Sequence, residues 1–285
     1  MCTSFDFDTY LAERRARVEA RLLGCLPPQG TRPAVLTEAM RHAVLSGGKR
    51  LRPVLCLAAA EAVGGGAAEA LPAACAVELL HTYTLVHDDL PCMDDDALRR
   101  GLPTVHAKYG EAVAVLAGDA LQALAFEVLA REAAPGRAAR LVSELAAAAG
   151  AAGVVGGQAE DIACAGAPTH AAIEYVFRHK TADLFRAAAR LGAIAAGASD
   201  ADTERLTAFA ENLGVAFQVV DDILDAAEAK SGGAPELSCL DIMTESEARA
   251  WARQLTSAAC AALRGLPADT RPLAAIASAL LSRGG

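Results

Sequence analysis

Aspartates are concentrated in two short stretches of the chain, and their spacing indicates where chemistry could occur. The first stretch is HDDLPCMDDDALRRG (87–101), which also carries two adjacent arginines, and the second is FQVVDDILD (217–225). Carboxylates on otherwise apolar segments are costly to bury unless they are paired or bind a metal ion. Their hard oxygen atoms favour Mg²⁺. Either stretch alone is compatible with a solvated acidic surface, whereas two of them on facing helices favour a metal site.

The first stretch begins at the end of a predicted helix. Asp88 and Asp89 lie at that end because Pro91 disfavours helical geometry in the residue before it. Asp94 would fall on another side of a regular helix, so the chain must fold back around Pro91 for Asp88 and Asp94 to bind one ion. An EF-hand calcium loop is excluded, because Leu98 stands where an oxygen ligand is needed and no Glu follows at the twelfth position.

The second stretch is predicted to be helical. Asp221 and Asp225 are four residues apart and share one helical face with Gln218, and Asp222 flanks them. The remaining residues of the segment are apolar, so carboxylates here need a compensating charge. This stretch is a second candidate metal site.

Basic residues occur where a phosphate could bind. Mg²⁺ held by a few carboxylates usually completes its shell with water and substrate phosphate, and arginine suits bidentate phosphate contacts. The candidates are Lys49 and Arg52 in a Gly-rich turn, Arg99 and Arg100 after the first aspartates, and Lys180 with Thr181 in HKTADLF (179–185). Each lone cation is more often an ordinary surface residue. Together they predict an acidic cavity opening that binds magnesium and accepts diphosphates.

Composition limits the classes of protein that these residues could serve. Hydrophobic residues make up 53% of the 285 residues and the formal net charge is −9, which supports a sizeable core and argues against a broad nucleic-acid surface. The eight cysteines form no CxxC and no zinc pattern, which is typical of a reducing compartment. No signal peptide and no membrane span of 18 uncharged apolar residues is apparent, so we expect a cytoplasmic protein.

The elements that must position these residues are predicted to be helices. Alanine and leucine dominate, and no sustained period-2 pattern indicates strands. Three early helices are separated by LPPQGTRP (26–33) and GGKRLRP (47–53), and the third starts near Pro53 and ends at GGG (64–66). Further helices are predicted at about 72–90, 111–132, 137–161, 170–195, 201–226, 245–265 and 272–282. We predict one all-α domain spanning 1–285, a helical bundle.

Seven motifs, in order along nearly the whole chain, resemble those of the trans-isoprenyl diphosphate synthases, most closely the bacterial farnesyl diphosphate synthases. They are GGKRLRP (47–53), the His81 helix, HDDLPCMDDDALRRGLPT (87–104), LAGDALQ (116–122), GGQAED (156–161), HKTADLF (179–185) and FQVVDDILD (217–225). The first aspartate motif has the bacterial form, with two extra residues between its aspartates. The resemblance implies an all-α bundle around a deep apolar pocket, usually in a homodimer.

The resemblance also implies a role for each residue. Asp88 and Asp94 would bind Mg²⁺ on one side of an allylic diphosphate with Asp89 assisting, and Asp221 would bind a further Mg²⁺ with Asp222 and Asp225 in support. Three ions are implied with substrate bound. Arg99, Lys180, Thr181 and Gln218 would contact the allylic diphosphate, and Lys49, Arg52, His81 and Arg100 would hold isopentenyl diphosphate.

The implied reaction joins isopentenyl diphosphate to dimethylallyl or geranyl diphosphate, giving a C15 product. Metal charge would let the allylic C–O bond ionise, and the isopentenyl double bond, held nearby, would attack the cation. The released diphosphate would accept the proton, and apolar walls would exclude water. Tyr83 lies five residues before Asp88, roughly 7.5 Å down the helix axis. An aromatic residue there resembles the farnesyl type and would form a floor that limits product length; otherwise it is an ordinary core tyrosine.

The stretch AAEAKSGGAPELSCLDIM (226–243) departs from the family pattern. It is short, and Lys230 is the one candidate for the lysine that the family places there, whereas the next helix begins with an intact capping box, TESE (244–247). A working synthase with a trimmed loop is the main hypothesis. A geranyl or geranylgeranyl diphosphate synthase, an allylic diphosphate cyclase or lyase, and a regulatory synthase subunit are the alternatives.

Overall fold

The structure is a computed structural model that describes residues 5–164, 168–227 and 237–283. Within these ranges the helices are α1 (Phe7–Cys25), α2 (Ala34–Leu45), α3 (Leu51–Ala62), α4 (Ala67–Asp88), α5 (Val105–Tyr109), α6 (Glu111–Glu132), α7 (Ala138–Ala149), α8 (Val154–Cys164), α9 (His170–Val176), α10 (Asp183–Ala196), α11 (Asp200–Ala227), α12 (Glu245–Ala262) and α13 (Arg271–Ser282). A π-helical segment (Phe177–Ala182) joins α9 to α10, and a 3₁₀ turn (Cys239–Asp241) precedes α12. The all-α prediction is confirmed.

The centre of the bundle is formed by α3, α4 and α10, which pack against one another, with α6 against α4 and α11 against α10. Small residues let these helices approach closely. A Cβ atom on Gly192 of α10 would lie 2.0 Å from the backbone oxygen of Cys56 in α3, so only glycine fits there. The apolar faces of these helices bury large side chains, including Leu55, Leu80 and Phe185, and hold the helix ends that carry the candidate site residues in fixed positions.

Several predicted helix boundaries are wrong. The helix predicted over 137–161 is two helices, because the backbone turns between Gly150 and Gly153, where a Cβ on Gly153 would lie 2.1 Å from the Ala148 oxygen. The helix predicted over 170–195 contains the π-helical segment. Pro72 lies inside α4 instead of starting it, and Pro53 lies in the first turn of α3, which begins at Leu51.

A short hairpin also departs from the expectation that strands are improbable. Strands β1 (Leu98–Arg99) and β2 (Leu102–Pro103) pair antiparallel, the only strands in the described ranges. The two residues between them, Arg100 and Gly101, have φ values of 56° and 77°. Two successive residues with positive φ form the tight turn that two-residue hairpins favour.

Two helical stretches are long and apolar enough to cross a membrane when length and composition are the only criteria. They are Glu111–Glu132 and Ala138–Cys164, with 39% and 33% of their most apolar windows buried in the structure. Core helices of proteins that never enter a membrane pass the same test, so this is weak evidence for a span. The expectation of no membrane span stays a prediction.

Candidate active site

The first aspartate stretch folds back on itself at the end of α4. The backbone amide of Asp94 donates to the carbonyl oxygen of Asp88 at 2.9 Å, which brings the two residues together beyond Pro91. Burial, and then the neighbouring Asp94 charge, raise the pKa of Asp88 to about 7, although Lys180 opposes this shift. The pKa of Asp94 is also raised by burial. These carboxylates therefore lack sufficient positive charge around them.

Asp89 faces a different partner from Asp88. Its carboxylate accepts a hydrogen bond from Arg99 Nε at 2.6 Å, and the residue is 3% exposed. The same guanidinium contacts Asp96 at 3.3 Å. Arg99 is therefore held near the end of α4 by two aspartates that precede it in the chain.

The second arginine of the hairpin joins it to the Gly-rich turn. Arg100 Nη1 donates to the carbonyl oxygen of Gly47, and a Cβ on Gly48 would lie 2.6 Å from that nitrogen. Gly48 also has a φ of 135°, which L-residues rarely adopt. The turn before α3 therefore needs glycine so that it can lie against the Arg100 guanidinium.

Arg52 and His81 meet inside the bundle. Arg52 Nη1 lies 3.3 Å from His81 Nε2, and the guanidinium carbon lies 4.7 Å from the centre of the Phe185 ring. Burial lowers the pKa of Arg52 to about 10. Burial, reinforced by Arg52, holds the pKa of His81 well below its usual value. His81 is therefore neutral and accepts a hydrogen bond from Arg52.

One cavity of about 620 Å³ collects most of the predicted phosphate ligands. Its lining includes Lys49, Arg52, His81, Arg99, Arg100 and Asp221. All four residues predicted to hold isopentenyl diphosphate thus face a single space, together with Arg99 of the first aspartate stretch and with Phe217 and Asp221 of the second. Five chain segments that are distant in sequence contribute to this lining.

The π-helical segment carries Lys180 and Thr181. The Lys180 ammonium donates to Asp161 Oδ2 at 2.5 Å, and the Thr181 hydroxyl donates to Gln218 Oε1 at 2.8 Å. A Cβ on Gly157 of α8 would lie 2.1 Å from the backbone nitrogen of Lys180, so α8 reaches this segment only because glycine stands there. The extra residue of a π-turn re-aims these side chains, and such turns often occur at functional sites.

The second aspartate stretch divides between two faces of α11. Asp221 forms an ion pair with Arg283 at 3.3 Å, and burial raises its pKa although Arg283 and Lys49 oppose the shift. Asp225 is exposed one turn further on. Asp222 instead lies 8% exposed on a neighbouring face, where its Oδ2 accepts from the backbone amide of Cys239 at 2.7 Å.

The donor atoms in this cavity opening fit Mg²⁺. Asp88 and Asp94 offer carboxylate oxygens in surroundings that disfavour their negative charge, and a divalent cation would supply the missing counter-charge. Among the described residues, no three His, Cys, Asp or Glu side chains form a ready-made metal cluster. Mg²⁺ would therefore need water and diphosphate oxygens to complete its coordination, as it commonly does in phosphate-binding sites.

Tyr83 lies in α4 below the first aspartate stretch and is 5% exposed. Its ring packs edge-on against His87, with ring centres 5.7 Å apart. His87 in turn lies 3.0 Å from the carbonyl oxygen of Val115 in α6, and a Cβ on Gly118 would overlap its ring. Gly118, from the motif LAGDALQ, therefore makes room for the histidine beside Asp88.

Sequence reasoning missed three contributors to this region. Asp161 lies within the motif GGQAED, which is a usable signal, whereas no sequence pattern marks Arg283 near the C-terminus. Arg50 is 3% exposed and pairs with Glu78 at 2.6 Å, which makes it a structural neighbour of the cavity. The predicted substitute Lys230 lies outside the described residues.

Comparisons with known proteins identify the family of this chain. The polyprenyl synthetase family model matches residues 33–237. The heterodimeric geranylgeranyl pyrophosphate synthase large subunit 1 of Arabidopsis thaliana is 45% identical over 99% of this chain and 80% of its own length. The crystal structure of an FPP/GFPP synthase from Zymomonas mobilis superposes with a TM-score of 0.88 at 36% identity, covering 96% of this chain and 98% of that one.

A further solved structure bears on the metal. Geranyltransferase from Helicobacter pylori, complexed with magnesium and isoprenyl diphosphate, superposes with a TM-score of 0.83 at 33% identity, covering 99% of this chain and 98% of that one. The family match spans the Gly-rich turn and both aspartate stretches. The chain therefore belongs to the polyprenyl synthetase family and is a prenyltransferase of the trans-isoprenyl diphosphate synthase type.

Proposed function

We propose that this protein condenses isopentenyl diphosphate with dimethylallyl and geranyl diphosphate to give farnesyl diphosphate and diphosphate. The observation that carries the proposal is the single cavity lined by Lys49, Arg52, His81 and Arg100. A cyclase or lyase would have no use for these four residues. The buried Tyr83 ring below Asp88 supports a product that stops at fifteen carbons.

The residues divide the work by position. Lys49, Arg52 and Arg100 would hold the isopentenyl diphosphate by charge, and neutral His81 fixes the Arg52 guanidinium. The four hold the isopentenyl group beside the allylic carbon, and proximity supplies much of the acceleration.

At the allylic end, Asp88 and Asp94 would hold Mg²⁺ on one side, and Asp221 with Asp225 on the other. Bound magnesium would supply charge that neutralises the departing diphosphate. Lys180, Thr181, Gln218 and Arg99 would bind the same diphosphate, which requires Arg99 to exchange its contacts with Asp89 and Asp96 for phosphate oxygens. Asp222, held by Cys239, supports Gln218, which donates to it at 3.0 Å. The released diphosphate is the proposed proton acceptor.

Geranylgeranyl diphosphate is the second candidate product. The Arabidopsis relative, at 45% identity, bears the name of a geranylgeranyl pyrophosphate synthase.

The name of that relative also describes a heterodimeric subunit, so pairing with a different subunit is an alternative to a homodimer. We propose a homodimer in the cytoplasm for this chain, although that relative is a chloroplast protein.

A product assay tests the proposal. Purified protein is given Mg²⁺, isopentenyl diphosphate and either dimethylallyl or geranyl diphosphate, and products are resolved by chain length. A dominant C15 diphosphate supports the proposal, and C20 would support the second candidate and remove the floor role of Tyr83. If the allylic substrate is consumed without elongation, or nothing turns over, the synthase assignment for this chain fails.

A further inference from the structure

A closed ring of hydrogen bonds and peptide bonds ties the proposed allylic site to the residues that follow position 236. The segment 237–239, called the return segment here, lies in an apolar cluster with Val219 and Ile223 of α11. Leu237 and Cys239 are 5% and 0% exposed, so this segment is firmly packed. Two carboxylates bind it at neighbouring positions, Asp161 at Leu237 and Asp222 at Ser238 and Cys239.

Asp161 uses both of its oxygens. Oδ2 accepts from the Lys180 ammonium at 2.5 Å, and Oδ1 accepts from the backbone amide of Leu237 at 3.3 Å. The residue is 6% exposed. A buried carboxylate that accepts from a cation on one oxygen and from a backbone amide on the other fixes the distance between those two groups.

Asp222 closes the ring on the other side. Its Oδ2 accepts from the Ser238 hydroxyl at 3.0 Å and from the Cys239 amide at 2.7 Å. Its Oδ1 accepts from Gln218, which accepts in turn from Thr181, the neighbour of Lys180. The members of the ring, in order, are Lys180, Asp161, Leu237, Ser238, Cys239, Asp222, Gln218 and Thr181.

We propose that Asp161 is a positioning residue that holds Lys180 at a fixed distance from the return segment, so that the lysine presents its charge to the allylic diphosphate. The proposal rests on the proposed function and adds to it a residue that touches neither substrate. The stretch before the return segment is the one that departs from the family pattern. Fixing its far end to Asp161 and Asp222 would keep the lysine in place despite the shorter connection.

The test compares Asp161→Asn with Asp183→Asn. Asp183 is a matched control because it is also buried and ion-paired beside the π-helical segment, but it bonds His179 and Arg186 and stands outside the ring. Asp161→Asn is expected to raise KM for the allylic substrate about tenfold, the scale of one charge-assisted hydrogen bond. KM for isopentenyl diphosphate should change less than twofold, and Asp183→Asn should leave both within twofold.

Amide hydrogen exchange supplies a readout without turnover. Exchange at Leu237 is expected to accelerate about tenfold in Asp161→Asn and to stay unchanged in Asp183→Asn. A double-mutant cycle with Lys180→Gln should show that the two effects on binding of inorganic diphosphate with Mg²⁺, measured by calorimetry, are not additive. Equal rises in both KM values, additive effects, or unchanged exchange would overturn the proposal.

Failure of the proposed function and failure of the proposed Asp161 role give different results. A wild-type protein without condensing activity would refute the proposed function, whereas the exchange and diphosphate-binding measurements would still decide the role of Asp161. If Asp161→Asn does not fold, amide exchange in Lys180→Gln alone tests the proposal. The ring requires faster exchange at Leu237 when the lysine is lost, and unchanged exchange there would refute it.

Discussion

Asp88 is the last residue of α4, and its chemistry depends on what surrounds one carboxylate. It lies beside Asp94 and near Lys180, and burial together with Asp94 raises its pKa to about 7. Asp89, the next residue, forms an ion pair with Arg99, although burial still raises its pKa. The two adjacent aspartates therefore have different partners, because consecutive residues at a helix end face different directions.

Replacement of Asp88 tests the metal role. Asp88→Asn is expected to lower kcat by roughly a hundredfold or more, because losing a magnesium ligand removes several kcal/mol of charge stabilisation. Asp95→Asn is the matched control, since Asp95 is an exposed aspartate of the same stretch whose positive φ asparagine tolerates. Condensation rates across a Mg²⁺ titration provide the measurement. Equal loss in both variants would contradict a specific role for Asp88.

Replacement of Tyr83 tests the floor. Tyr83→Ala removes the ring that packs against His87, and products are expected to shift from C15 to C20 or longer because the growing chain meets no barrier there. Phe177→Leu is a suitable control, since Phe177 is a buried aromatic that stacks on Trp251 in the apolar cluster that also holds the return segment. Chromatography of the dephosphorylated products measures their chain length. An unchanged C15 product in Tyr83→Ala would make Tyr83 an ordinary core residue.

At the scale of elements, periodicity predicted most helices and failed where glycine or a π-turn intervenes. The helix at 111–132 and the TESE capping box at Thr244 and Glu247 have the predicted positions. The break after Ala149 and the widened turn that carries Lys180 depend on close contacts between helices. Local sequence does not encode such contacts. The same reason explains why Asp161 was missed: its partners are 19 and 76 residues away.

Gly157 provides a test of those close contacts. Gly157→Ala is expected to destabilise the fold by about 1–3 kcal/mol, because its Cβ would lie 2.1 Å from backbone atoms of Lys180 that cannot give way. Gly24→Ala in α1 is the control, since its Cβ would make only an ordinary 3.5 Å contact with Arg21 and should be neutral or stabilising. Urea unfolding compares the two. A fully stable Gly157→Ala variant would show that α8 and the π-helical segment can separate without cost.

At the scale of the whole molecule, the bundle leaves one long helix incompletely covered. α6 packs against α4 on one side, and on its other side Val115 and Leu116 are 42% and 56% exposed. The same helix holds Gly118, which accommodates His87 next to Asp88. Any partner seated on α6 would therefore rest one helix away from the first aspartate stretch.

We expect the proposed homodimer to use this exposed face of α6. Leu116→Glu places a charge at the centre of an apolar contact, so we expect it to convert a dimer to a monomer at micromolar concentration. Leu98→Glu is the control, because Leu98 is 64% exposed but lies in the hairpin, away from α6. Light scattering after gel filtration measures the mass of each. If Leu116→Glu stays dimeric, the interface lies elsewhere. If the wild-type chain is itself monomeric, the heterodimeric arrangement named for the Arabidopsis relative becomes the model to test, with the α6 face as the surface offered to a different subunit.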